Sequence, residues 1–195
     1  TTTQPVLGRW KDNIFVSVGG GANLLYEDGF SFGPNLRPAA AFDIALGKWF
    51  SPDFGVRLGY QGGGISEWLD NPREVLAVNT GDLRGVEKYI LEARSDYFHA
   101  DVLWDMTNLI YPRAYNRIWS LIPYYHTGFY NVKTTERKLY SDGYAAGFGL
   151  INDLQVTPEL SFYVDLRATI LNGRNLGRGR EFGYKGSVLA GLAYH

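Results

Sequence analysis

His99, Asp101 and Asp105 stand at alternate positions of YFHADVLWD (97–105). On a strand they share one face. An imidazole beside carboxylates is material for general acid–base catalysis, and Asp165 or His126 could approach from other runs. A hydrolase would also need a nucleophile or activated water beside the histidine, within reach of a substrate. The competing reading is an internal polar network that specifies strand register, and it is preferred if the face is packed. Other chemistry finds less support. There is no cysteine, so there is no thiolate metal site, and three histidines alone give little reason for zinc. Gly19-Gly20-Gly21 and Gly62-Gly63-Gly64 lack the GxxxxGK[ST] pattern and lead to no helix, so they suit close packing or a bend rather than phosphate. A net charge of −1 argues against nucleic acid. The expectation is a non-enzyme with no catalytic, cofactor or metal site.

The elements that place these residues repeat one unit. In NIFVSVGGGANLLY (13–26), Ile14, Val16, Val18, Ala22 and Leu24 alternate with Phe15, Ser17, Gly19, Gly21 and Asn23. That is a period of two, sustained over a length that suits a tilted transmembrane strand of about 9–11 residues better than a soluble strand of about 5–6. Seven further runs follow: 38–47, 54–61, 97–107, 118–130, 144–154, 160–170 and 184–195. In the fifth strand, Trp119, Leu121, Pro123, Tyr125, Thr127 and Phe129 are taken as outward. No run of 18 apolar residues exists, which excludes a transmembrane helix but not a membrane barrel.

Two barrels compete. A soluble one turns its apolar face inward, a membrane one outward. The polar face here is mostly Gly, Ala, Ser and Thr rather than a solvated Lys/Glu surface, and the opposite face is almost free of charge. The reading is therefore a single domain over 1–195: an all-β, eight-stranded antiparallel up-and-down transmembrane β-barrel. Its inward charges Asp43, Arg57, His99, Asp101, Asp105, Asp165, Arg167 and Lys185 form a lumen polar network. Such a lumen is only wide enough for side chains to fill, so it is expected to be plugged. Connections are long after strands one, three, five and seven and shorter after the others, placing the short turns in the periplasm. Trp10, Trp49, Trp104 and Trp119 are expected to form an interfacial girdle at the short-turn end, with Tyr26, Tyr60 and Tyr144 at the other rim. Residues 62–96 are read as a long outer loop with a weak helical signal at 68–78. Its Ile65, Trp68, Leu69, Tyr89 and Ile90 are more apolar than a solvated loop needs and are candidates for docking another outer-membrane protein. A charged loop is expected at 131–143. Arg174, Arg178 and Arg180 make the last outer loop basic, suited to lipopolysaccharide or to solvent.

YFHADVLWDMTNLI (97–110), WSLIPYYHTGFY (119–130), YAAGFGLINDLQVTPELSFYVDLRAT (144–169) and GSVLAGLAYH (186–195) together resemble the barrel domain of outer membrane protein A-like (OmpA-like) proteins. The resemblance covers the strands and not the outer loops. It implies a porin-like membrane protein of a Gram-negative cell envelope, located in the outer membrane, with its N-terminus periplasmic and its signal peptide removed. Many relatives carry a periplasmic, peptidoglycan-binding domain that these residues do not include. Family barrels usually end in an outward aromatic, commonly Phe; position 196 would be outward here. The function expected is structural: envelope integrity, or an accessory subunit of a larger outer-membrane complex. A narrow channel for small solutes is the alternative. The expected partners are outer-membrane lipids, lipopolysaccharide and, through 62–96, other outer-membrane proteins.

Overall fold

A computed structural model describes residues 13–26, 36–69, 78–82, 87–107, 118–134, 140–172 and 182–195. Among these residues ten strands are present: β1 (Ile14–Tyr26), β2 (Leu36–Arg37), β3 (Ala39–Trp49), β4 (Phe54–Leu69), β5 (Val78–Asp82), β6 (Glu87–Trp104), β7 (Trp119–Thr134), β8 (Tyr140–Gln155), β9 (Leu160–Asn172) and β10 (Phe182–Tyr194). Eight of them close a ring in the order β1-β3-β4-β6-β7-β8-β9-β10, every pair antiparallel. The first and last strands join through Val16↔Tyr194 to Tyr26↔Tyr184. Closure leaves no barrel edge with unpaired backbone groups, which a bilayer requires. β2 and β5 are short additions to the far ends of β4 and β6.

Alternation decides which face is which. On β9, Tyr163, Asp165, Arg167 and Thr169 are buried, while Phe162, Leu166 and Ile170 are exposed. The same division runs round the ring, with Val18, Ile44, Leu58, Val102, Phe148 and Val188 outside. Apolar side chains on the outer wall and charged ones within are the inverse of a soluble barrel. On β7, Trp119, Tyr125, Thr127 and Phe129 are exposed, while Ile122, Tyr124, His126 and Tyr130 are buried, so the ambiguous strand has the facing chosen from its sequence.

Four expectations need correction. The stretch 62–96 is not an irregular loop. β4 runs on to Leu69 and β6 starts at Glu87, paired continuously through Gly64↔Arg94, Ile65↔Ala93, Trp68↔Ile90 and Leu69↔Tyr89. The docking candidates Ile65, Trp68, Leu69, Tyr89 and Ile90 therefore lie on a ribbon of β4 and β6, flanked by the short strands β2 and β5. Gly62–Gly64 does not open a loop: Gly63, at φ 151°, stays in the strand where a Cβ would meet the Ala40 carbonyl and Ala41 Cα. The helical signal at 68–78 is overturned at Trp68 and Leu69, which are strand; residues 70–77 lie outside the described residues. Likewise 131–143 is largely strand, because β7 reaches Thr134 and β8 begins at Tyr140. The physical reason is shared. Beyond the membrane both faces of a strand meet water, so strict apolar–polar alternation is no longer needed and the period-two signal fades. Finally, β3 ends at Trp49, and the turn is 50–53, where Ser51 Oγ accepts from Phe54 N at 2.9 Å.

Candidate functional site

Inward residues of β3, β4, β6, β7 and β9 meet in one network. Arg57 (β4) and Asp101 (β6) are direct cross-strand partners, and Arg57 Nε donates to Asp101 Oδ2 at 2.5 Å. Arg57 Nη2 reaches Asp165 Oδ2 on β9 at 3.4 Å. Arg167 donates to Asp165 Oδ2 at 2.9 Å, to Asp43 Oδ2 at 3.0 Å and to Tyr124 OH at 2.8 Å. Tyr124 OH in turn donates to Asp165 Oδ1 at 2.6 Å. His99 sits between two carboxylates, with Nδ1 at 2.7 Å from Asp101 and Nε2 at 3.0 Å from Asp43. Arg167 Nη1 also lies 3.2 Å from His99 Nε2. Three carboxylates thus face two guanidiniums and an imidazole, each with hydrogen-bonded partners, as buried charge demands.

A second layer lies further from the short turns. Gln61 Nε2 donates to Asn23 Oδ1 and Ser187 Oγ, each at 3.0 Å. Gln61 Oε1 accepts from Arg167 and from Lys185, each at 3.3 Å. Lys185 Nζ also lies 5.2 Å from the centre of the Tyr97 ring. His126 Nε2 donates to the Ala168 carbonyl at 3.1 Å, leaving Nδ1 to accept from Tyr97 OH at 2.8 Å.

Apolar clusters bound the polar layers. Phe15, Leu103, Ile122 and Ile151 fill the short-turn side together with Tyr124 and Tyr163. Tyr97, Tyr130, Val132, Ala145 and Leu171 fill the opposite side. Among the side chains of the first cluster a vestibule of ≈ 260 Å³ opens at the short-turn mouth, lined by Phe15, Ile122 and Tyr163 as well as Trp49, Asp105, Asp153 and His195, and reaching Arg57.

The sequence-predicted residues divide accordingly. Asp43, Arg57, His99, Asp101, Asp165 and Arg167 come together, and Lys185 joins them through Gln61. Asp105 does not sit in that cluster. It lies just past the end of β6, where its carboxylate accepts from Thr107 N at 2.9 Å. Of the girdle residues, Trp104 stacks on Phe54 with ring centres 6.1 Å apart, both exposed, and Trp119 is exposed. Trp49 is different: its odd position on β3 shares the inward parity of Asp43 and Ala45, and it packs on Phe15 in the mouth at 6.2 Å. Trp10, Arg174, Arg178 and Arg180 lie outside the described residues. The outer rim carries Tyr60 between Phe42 and Phe98, and Tyr144 against Phe129.

Acid–base chemistry has no access here. The His99 side chain is fully enclosed. A Ser–His–Asp group stands at the mouth, but its order is wrong for a nucleophile. Ser161 Oγ donates to Asp153 Oδ1 at 2.7 Å, and His195 Nε2 lies 3.2 Å from Ser161 Oγ. The carboxylate accepts the serine hydroxyl's hydrogen bond instead of orienting the imidazole. Burial lowers the His195 pKa.

No protein-family model and no curated protein matches the chain. Solved structures do. Neisserial surface protein A superposes with a TM-score of 0.60 at 10% identity, covering 93% of this chain and 96% of that one. A major outer membrane protein from Thermus thermophilus gives 0.49 at 14% identity over 93% and 98%. Ail, the attachment invasion locus protein of Yersinia pestis, gives 0.46 at 14% identity over 93% and 96%. The first of these carries the comparison. The chain has the fold of an eight-stranded outer-membrane β-barrel.

In this barrel, sequence reasoning missed Gln61, Tyr124, Asn23, Ser187 and Tyr97 as members of the polar layers. Parity alone places them inside; their bonding depends on which strands the register brings face to face. Large lumen side chains also have a partner that reads in the sequence only as packing. Phe15, His99, Tyr124 and His126 are each directly opposite a glycine: Gly47, Gly59, Gly149 and Gly147. A Cβ at any of the four would overlap or crowd the facing ring.

Proposed function

We propose that the chain is a structural barrel of the bacterial outer membrane, supporting envelope integrity alone or as an accessory subunit of a larger assembly. The observation that carries this reading is the filled lumen, in which Arg57, Arg167 and Tyr124 bridge three carboxylates between two apolar clusters. Arg57 and its partners close the inner end of the vestibule, and His99 is enclosed behind them. The β4–β6 ribbon supports the assembly role, because it continues well beyond the length a bilayer needs and presents paired strands for docking. Cells lacking the chain are expected to become sensitive to detergents and bulky antibiotics while small-solute uptake stays unchanged. Reduced uptake of small solutes with an intact detergent barrier would contradict the reading.

A narrow solute channel is the second reading. It is favoured by the vestibule, which carries water-accessible space from the short-turn mouth as far as Arg57. It requires the Arg57–Asp101 contact to open, and small-solute uptake separates it from the first.

A further inference from the structure

Arg94 on β6 and Lys133 on β7 are direct cross-strand partners, and both are exposed on the outer wall. Like charges directly opposite one another on adjacent strands repel. Arg94 Nε has Asp96 at 3.7 Å; Lys133 has no ion pair among the described residues. Asp96 is also engaged by Tyr60, whose OH donates to it at 2.6 Å. These side chains, with Phe98 and Asn131, line an open groove across the outer faces of β4, β6 and β7. Two cations and one carboxylate leave it positive.

Its height on the barrel is informative. Arg94 is ten positions along β6 from the girdle residue Trp104. At about 3.3 Å per residue and a tilt of about 40°, that is roughly 25 Å, the height of the apolar band of a membrane barrel. The two cations therefore stand at headgroup level and face sideways into lipid rather than up into water. Below them, Phe98 and Phe129 are cross-strand partners and exposed, an apolar wall for acyl chains.

We propose that this groove binds the phosphate headgroup of an outer-leaflet lipid, held by Arg94, Lys133 and the Asn131 amide, with its chains on Phe98 and Phe129. A guanidinium offers paired donors to phosphate oxygens, and a bound anion removes the Arg94–Lys133 repulsion. The proposal rests on the long-loop end of the barrel being the outer one.

The test uses the full chain in detergent micelles, titrated with bisphosphorylated lipid A, with the same lipid stripped of phosphate, and with inorganic phosphate. Bound molecules are counted by native mass spectrometry. Phosphorylated lipid A is expected to bind, about tenfold more weakly to the R94A/K133A variant, with the milder R94Q/K133Q variant weakened in the same direction. Lys48→Ala, at the other end of the barrel, should leave binding unchanged. Equal binding of the dephosphorylated lipid, unchanged binding by both double variants, or inorganic phosphate binding as tightly as the lipid would each overturn the proposal. Surface labelling of Asp142→Cys in intact cells separates the orientation. If that site is sealed from outside while the phosphate dependence holds, the outer-leaflet assignment falls and the phosphate site stands.

Discussion

Tyr124 and Gly149 face each other across β7 and β8, and the Tyr124 ring occupies the space a side chain at 149 would take. That vacancy lets the Tyr124 hydroxyl reach Asp165 and accept from Arg167. The Phe15–Gly47 and His99–Gly59 pairs work in the same way. Glycine on the inner wall is thus a seat for a large lumen side chain on the neighbouring strand, and the plug is built from such pairs.

Gly149→Ala should destabilise the barrel by roughly 1–3 kcal/mol, the usual range for overpacking. Gly20→Ala supplies the control, since a Cβ there meets nothing nearer than the Ala41 carbonyl at 3.8 Å. Urea unfolding of both variants in lipid vesicles measures the difference. Equal midpoints would show that the ring moves aside at no cost.

Arg57 and Asp101 should behave as a coupled unit. Removing either partner from a buried pair costs about 3–5 kcal/mol, because the other is left uncompensated. Arg57→Met and Asp101→Asn are each expected to be strongly destabilising, with the double variant at least about 1 kcal/mol better than their sum. Strict additivity in the same unfolding assay would mean that the two side chains do not stabilise each other.

The barrel is legible in the sequence wherever strands cross lipid. There, Phe162, Leu166 and Ile170 must alternate with Tyr163, Asp165 and Arg167, since one face meets acyl chains and the other the lumen. The signal fails where that constraint ends. Glu67 and Leu91, or Ser66 and Glu92, pair outside the bilayer with no rule of alternation, so the ribbon reads as a loop. Inward charges follow from parity, but their partners do not. Asp43 and Arg167 are 124 positions apart and meet only because the ring closes. Trp49 reads as a girdle tryptophan by residue type, although its parity with Asp43 already points inward.

The lipid face should reject charge. Leu58 is 64% exposed on the outer wall, four positions from Phe54, the stacking partner of the girdle residue Trp104. Leu58→Arg is expected to cost roughly 2–4 kcal/mol near the midplane. Vesicle refolding yields and unfolding midpoints check this, and a neutral result would place position 58 in water.

Orientation can be read directly, because the chain has no native cysteine to confuse labelling. Asp142→Cys, exposed at the far end of β8, should react with an impermeant maleimide in intact cells. Pro158→Cys, exposed in the turn after β8, should react only after the outer membrane is opened. The reverse pattern would invert the barrel.

The most direct test of the closed lumen is single-channel recording of the purified full chain in planar bilayers. The Arg57–Asp101–Asp165–Arg167 network predicts a silent baseline at neutral pH. A large, steady conductance from the folded, unmodified chain would contradict it.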